Sequence, residues 1–74
     1  MNREQIISVD PEVMSGTPVF TGTRVPVESL IDHIKGGDTL EDFLEGFPGV
    51  SREQAEGFLE LALAAALDDR ARAA

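Results

Sequence analysis

The chain contains no cysteine, no tryptophan and no tyrosine, and it carries six basic residues against fourteen acidic ones. Without cysteine there is no disulfide framework, no thiolate metal cage and no cysteine nucleophile. Phe20, Phe43, Phe47 and Phe58 are the only phenyl rings, so stacking on bases or sugars is not expected. The net charge of −8 repels phosphate backbones and favours a basic or neutral partner surface. Long apolar runs are missing too: nothing approaches the ~20 residues of a membrane span, and the polar stretch Met1 to Gln5 is unlike a signal peptide. A cytoplasmic protein without membrane contact is the expectation.

What is present fits one small domain, 1–74. At 74 residues a chain hides only ~60% of the surface that its unfolded form exposes, so its core is marginal. Residues 6–25 read as a β arm, in which Ile6, Ile7, Val9, Val13, Val19 and Val25 are punctuated by Pro11, Gly16, Pro18 and Gly22. Ile6 to Val9 and Pro18 to Phe20 can pair as a short ribbon, with Pro18 confined to a strand start or edge because it has no backbone donor. From Pro26 the apolar period lengthens. Val27, Leu30, Ile31 and Ile34 predict a first helix ending at Gly36 and Gly37. Thr39 opens a capping-box-like Thr-Leu-Glu-Asp, and Leu40, Phe43, Leu44 and Phe47 predict a second helix up to Pro48. Ser51 with Gln54 makes a second capping box, followed by a third helix through Ala55, Phe58, Leu59, Ala62 and Leu63 to Leu67. The three-helix core thus occupies 26–67, and 68–74 is expected as a tail.

The third helix carries the most informative pattern. Leu61 to Leu67 contains no polar side chain, so nearly two turns are apolar on every face. Its sixteen residues to Leu67 reach ~24 Å, longer than two short helices can cover. The leftover surface reads as an interface with another subunit or protein. The competing explanation is an exposed alanine-rich helix, since alanine forms helix readily and tolerates water.

Candidate chemistry is sparse. Gly16 to Arg24 has the look of a phosphate loop, but the glycine spacing is wrong and Val25-Pro26 stands where helix amides should open. Gly16 and Gly22 are better read as turn glycines, with Thr21 and Thr23 bonding locally to the backbone. Arg24 sits among apolar neighbours, where its guanidinium needs a partner: a carboxylate of this chain such as Asp10 or Glu28, or an acidic cluster of another protein. His33 has no second histidine or cysteine to share a metal and reads as a helix-edge residue. Glu41, Asp42, Glu45, Glu53, Glu56 and Glu60 follow solvated helix positions, so no catalytic residue, metal or cofactor is assigned. The second and third helices also have helix-turn-helix form, which would place Arg52 and Gln54 near bases. The glutamates beside them have the wrong sign for that task.

The segments Ile7 to Pro11, Gly16 to Val27 with its Gly-x-Pro-x-x-x-Gly-Thr-Arg-Val core, Gly37 to Leu44 and Phe47 to Ser51 closely resemble the domain-of-unknown-function 433 family. The resemblance spans about residues 6–63, and its motif residues here are Gly16, Pro18, Gly22, Thr23, Arg24 and Pro48. It implies a mainly α fold, a three-helix homeodomain-like core with a short N-terminal β arm or hairpin. It further implies an antitoxin, not an enzyme, that pairs with a PIN-like ribonuclease toxin. This chain departs from the family at Leu61, often tyrosine, and at Ala55 and Phe58, a larger and a smaller residue exchanged on adjacent turns with core volume kept. On this reading a homodimer docks Phe58, Leu59, Leu63 and Leu67 on the toxin, while Arg24, or Arg70 and Arg72, neutralise its acidic metal ligands. Arg70 and Arg72 serve equally well as helix-end cations or as part of a frayed tail. The alternative is a helix-turn-helix regulator that binds DNA through Arg52 and Gln54, alone or only once a basic partner is attached.

Overall fold

The computed structural model describes the backbone of residues 1–73 and the side chains of residues 1–68. In chain order it forms α1 (Arg3–Ile6), β1 (Ile7–Ser8), a 3-10 turn (Met14–Gly16), β2 (Val19–Phe20), α2 (Glu28–Lys35), α3 (Leu40–Gly46) and α4 (Arg52–Ala73). The fold is mainly helical with one two-stranded antiparallel sheet. The opening turn α1 was not anticipated. Asn2 and Gln5 cap it reciprocally: each side chain accepts a hydrogen bond from the other's backbone N–H, at 2.9 Å in both directions.

β1 pairs with β2 in the register Ile7↔Phe20 and Ser8↔Val19. The other edge of β2 is also engaged, because the Phe20 N–H donates to the Val25 carbonyl at 2.9 Å and the Val27 N–H donates to the Pro18 carbonyl at 3.1 Å. Pro18 therefore stands just before β2, where it contributes an acceptor and its missing donor is not needed. Gly22, at φ +81°, makes the reversal between β2 and Val25. The Thr23 hydroxyl holds this turn locally, donating to the Phe20 carbonyl at 2.7 Å and accepting from the Val25 N–H at 3.1 Å. Thr21 departs from the local bonding expected of it: its hydroxyl donates at 2.7 Å to the carbonyl of Glu4, seventeen residues away, and ties the turn to α1.

The core gathers Phe20, Leu30, Phe43, Val50 and Ala55, all buried, with Val25, Val27, Leu44, Phe58 and Leu59 packed around them. Phe20 is central, its ring 6.1 Å from that of Phe43 and 5.9 Å from that of Phe58 in an edge-on arrangement. Ala55 is fully buried, and Phe58 reaches across to Phe20. Both expected capping boxes form, at Thr39 with Asp42 and at Ser51 with Gln54. Helix α4 continues to Ala73, through positions expected as a tail, because neither glycine nor proline follows Leu67 to stop it.

Candidate functional site

The base of α4 is fastened to the rest of the molecule by Gln54 and Arg52. Gln54 is buried, and its amide nitrogen donates to the carbonyls of Thr21 at 2.9 Å and Gln5 at 3.1 Å. Its amide oxygen accepts from the Ser51 N–H at 3.1 Å. Both ends of the amide are engaged, so Gln54 has no free donor to offer a base edge, contrary to the role considered for it. Arg52 is likewise occupied, with its guanidinium 2.6 Å from Glu41 and 3.6 Å from Glu56. Arg52 in turn lowers the Glu41 carboxyl below the usual carboxylate range, first through this hydrogen bond, and its own affinity for the proton rises in response. The two residues proposed to read DNA therefore brace α4 against α1, the turn after β2, and α3.

One turn farther along, Gly57 makes the close approach of α1 possible. A Cβ added there would come within 2.7 Å of Ile6 Cδ1. Between α1 and α4 lies an open hollow of about 470 Å³, lined on its apolar side by Met1, Ile6, Gly57, Leu61 and Ala64. Glu53, Glu56 and Glu60 line one side of it. Positions 53, 57, 60, 61 and 64 fall on one face of a helix, which is why a single groove collects them.

The four leucines and phenylalanines proposed as a docking surface divide into two pairs. Phe58 and Leu59 are half-buried and pack on the core, so their apolar area is largely engaged within the chain. Leu63 and Leu67 are 59% and 51% exposed, on a part of α4 that outruns everything beneath it. Ala62, Ala64, Ala65 and Ala66 around them are exposed as well. The side chains of Arg70 and Arg72 lie outside the described residues.

A second hollow, of about 560 Å³, opens on the arm beside β1. Val9, Asp10, Val13, Thr23 and Arg24 line it, and Val9 is largely exposed. Arg24 does not form the carboxylate pair expected of it. It is exposed, and among the described residues no ion pair includes it, because the turn at Gly22 carries it away from the core and into water. The other motif residues shape the arm: Gly16 and Gly22 take positive φ, and Thr23 closes the turn. His33 sits at the helix edge as expected. Its Nδ1 is 2.9 Å from Asp38, and its ring stands edge-on to Phe43 and Phe47 at 5.4 and 5.5 Å. Among the described residues no cluster of three or more histidine or acidic groups has the arrangement of a metal site, and no helix is long and apolar enough to cross a membrane.

The sequence and the fold have counterparts in known proteins. Residues 7–62 match the model of DUF433, a family described as a protein of unknown function, and the chain belongs to that family. It is 36% identical over 50 residues to protein y4eO of Sinorhizobium fredii, which is described as uncharacterized. That match takes in 68% of this chain but only 23% of y4eO, so the chain spans about a quarter of that relative. The crystal structure of a DUF433 member from Anabaena variabilis has the same fold, with a TM-score of 0.69 over 96% of this chain and 71% of the other at 24% identity. The family match stops one residue short of Leu63, so the exposed leucine pair lies outside the matched segment.

Proposed function

We propose that the chain is an antitoxin-like inhibitor that binds a PIN-like ribonuclease and occludes it with the projecting part of α4. The exposure of Leu63 and Leu67 carries this reading, since two large apolar side chains on one side of an unsupported helix form an anchor suited to a groove in another protein. Charge supports the choice of partner. An RNA-cleaving enzyme must present a positive surface to the phosphate backbone, and a chain of net charge −8 complements it. Arg24, exposed like Arg3 and Lys35 and outside any ion pair among the described residues, is a cation available to approach acidic metal ligands of the nuclease. Two copies would present two such helices, and a homodimer belongs to the proposal.

The alternative reading treats α3, the turn 47–50 and α4 as a homeodomain-like helix-turn-helix that binds DNA. The order of elements favours it. The engagement of Gln54 and Arg52 within the fold disfavours binding by this chain alone, and a basic partner would have to supply the contacts to DNA. Co-expression with a PIN-like nuclease encoded beside the chain tests the first reading. Co-elution with suppressed RNA cleavage is the expected outcome; separate elution with cleavage undiminished overturns it. A gel shift on operator DNA that needs no nuclease would favour the alternative.

A further inference from the structure

The hollow between α1 and α4 has a chemistry that selects its occupant. Its apolar lining is low at Gly57, which has no side chain, and at Ala64, which has one methyl group, and Met1, Ile6 and Leu61 supply the rest. Its rim is acidic. Glu53, Glu56 and Glu60 follow at spacings of three and four, the separations at which like charges on a helix repel each other. Arg52 lies 3.6 Å from Glu56 and offsets part of that repulsion, whereas Glu53 and Glu60 have no ion pair among the described residues. Along the same side of α4, Glu56, Glu60, Leu63 and Leu67 recur at i, i+4, i+7 and i+11, so the rim runs directly onto the exposed leucine pair.

We infer that this groove receives an amphipathic helix of a partner protein whose apolar side settles on Gly57, Leu61 and Ala64 and whose lysines or arginines meet Glu53 and Glu60. Small residues on the floor let two helices approach closely, and the acidic rim sets the sign of the flanking charges. A second copy of this chain fits less well, since its own α4 would bring the same three glutamates against the rim. The inference rests on the inhibitor reading only for the identity of the partner; the groove's preference for a basic helix stands on its own residues.

The test uses the full chain and a synthetic amphipathic peptide of about 15 residues, the length at which isolated helices become marginally stable. One version carries leucines at helical spacing flanked by lysine, and a control replaces every lysine with glutamate. Amide chemical shifts should move at Glu53, Gly57, Glu60, Leu61 and Ala64 with the basic peptide and stay in place with the acidic one. The double variant Glu53→Gln/Glu60→Gln should weaken binding about tenfold, and high salt should do the same to the wild type. Equal binding of the two peptides, shifts confined to Leu63 and Leu67, or groove shifts that follow dilution of the chain without peptide would each overturn the inference. The last of these would assign the groove to a second copy. A nuclease inhibited equally by wild type and by Ala64→Trp, which fills the groove, would overturn the nuclease as the groove's partner while leaving the inhibitor reading intact. Groove binding of the basic peptide by a chain that leaves the nuclease active would do the opposite.

Discussion

The two halves of α4 are built from similar residues and meet opposite fates. In the first half, Ala55 is fully buried, Gln54 is bonded to two distant carbonyls, and Phe58 and Leu59 lie on the core. In the second, alanines and leucines of the same helix-forming quality lie in water. Intrinsic propensity extends the helix and packing decides where it matters, so one element provides both a structural strut and an unsupported apolar end. The contrast places the packing of the domain on the part of α4 before Leu61 and its exposed large apolar side chains, Leu63 and Leu67, on the part beyond it.

The sharpest way to break that contrast is to empty the core that the strut stands on. Phe20→Ala removes the ring that touches Phe43 and Phe58, and should cost ~3–5 kcal/mol, enough to unfold a domain of this size at room temperature. Loss of helical circular dichroism and of cooperative thermal melting is the measurement. If Phe20→Ala melts like the wild type, the strut is not supported by this core. Gln54→Leu is the next largest. It leaves the carbonyls of Gln5 and Thr21 without their buried donor and should destabilise by ~1–3 kcal/mol. Hydrogen exchange should then quicken in α1 and β1 before the core, whereas uniform quickening would show that Gln54 does not specifically hold the arm.

The base of the strut was half legible in the sequence. Ser51 and Gln54 announce a helix start by their spacing alone, and so does Thr39. What spacing cannot show is that the Gln54 amide nitrogen reaches Gln5 and Thr21, 49 and 33 positions away, because such contacts exist only once the chain has folded back. The apolar stripe of the third helix was visible as well, but a stripe does not mark where its cover ends. Phe58 and Leu59 therefore looked equivalent to Leu63 and Leu67. Helix α1 is a single turn, too short for periodicity, and its one signal was the Asn2 and Gln5 spacing. Gly57 held a second unread signal, since a glycine inside a helical pattern marks a close approach, here by Ile6. Arg24 was placed by its apolar neighbours when the turn at Gly22 in fact directs it outward.

A milder perturbation tests whether α3, which braces the strut through Glu41, depends on its cap. Thr39→Ala should cost about 1 kcal/mol. The cap also titrates. The backbone N–H of Thr39, with its hydroxyl second, holds the Asp42 carboxyl below its ordinary value of 3.8, so the folded state binds this proton more weakly than the unfolded state does. The cap's contribution is thus fully present above that ordinary value and fades as pH falls through the lower folded value. Asp42→Asn should be less stable than wild type at neutral pH, and the gap should close in acid. A gap that persists unchanged below the folded value would show that the carboxylate charge is not what the cap uses.

The smallest expected effect on stability falls at the far end of α4, and it separates the two halves most cleanly. Leu63→Ser and Leu67→Ser alter side chains that are already more than half exposed, so each should change unfolding free energy by no more than about 0.5 kcal/mol. If these leucines anchor a partner, the same changes remove contacts that burial would make worth ~1.5–3 kcal/mol each, and the affinity for a co-purified nuclease should drop at least about tenfold. Stability and binding then respond to different residues of one helix. Should Leu63→Ser lower the melting temperature as much as a core substitution does, the projecting end is part of the domain's own packing and the division of α4 into strut and anchor fails. If stability and nuclease affinity both stay at wild-type values, the anchor is elsewhere, and the arm hollow beside Arg24 becomes the surface to mutate next.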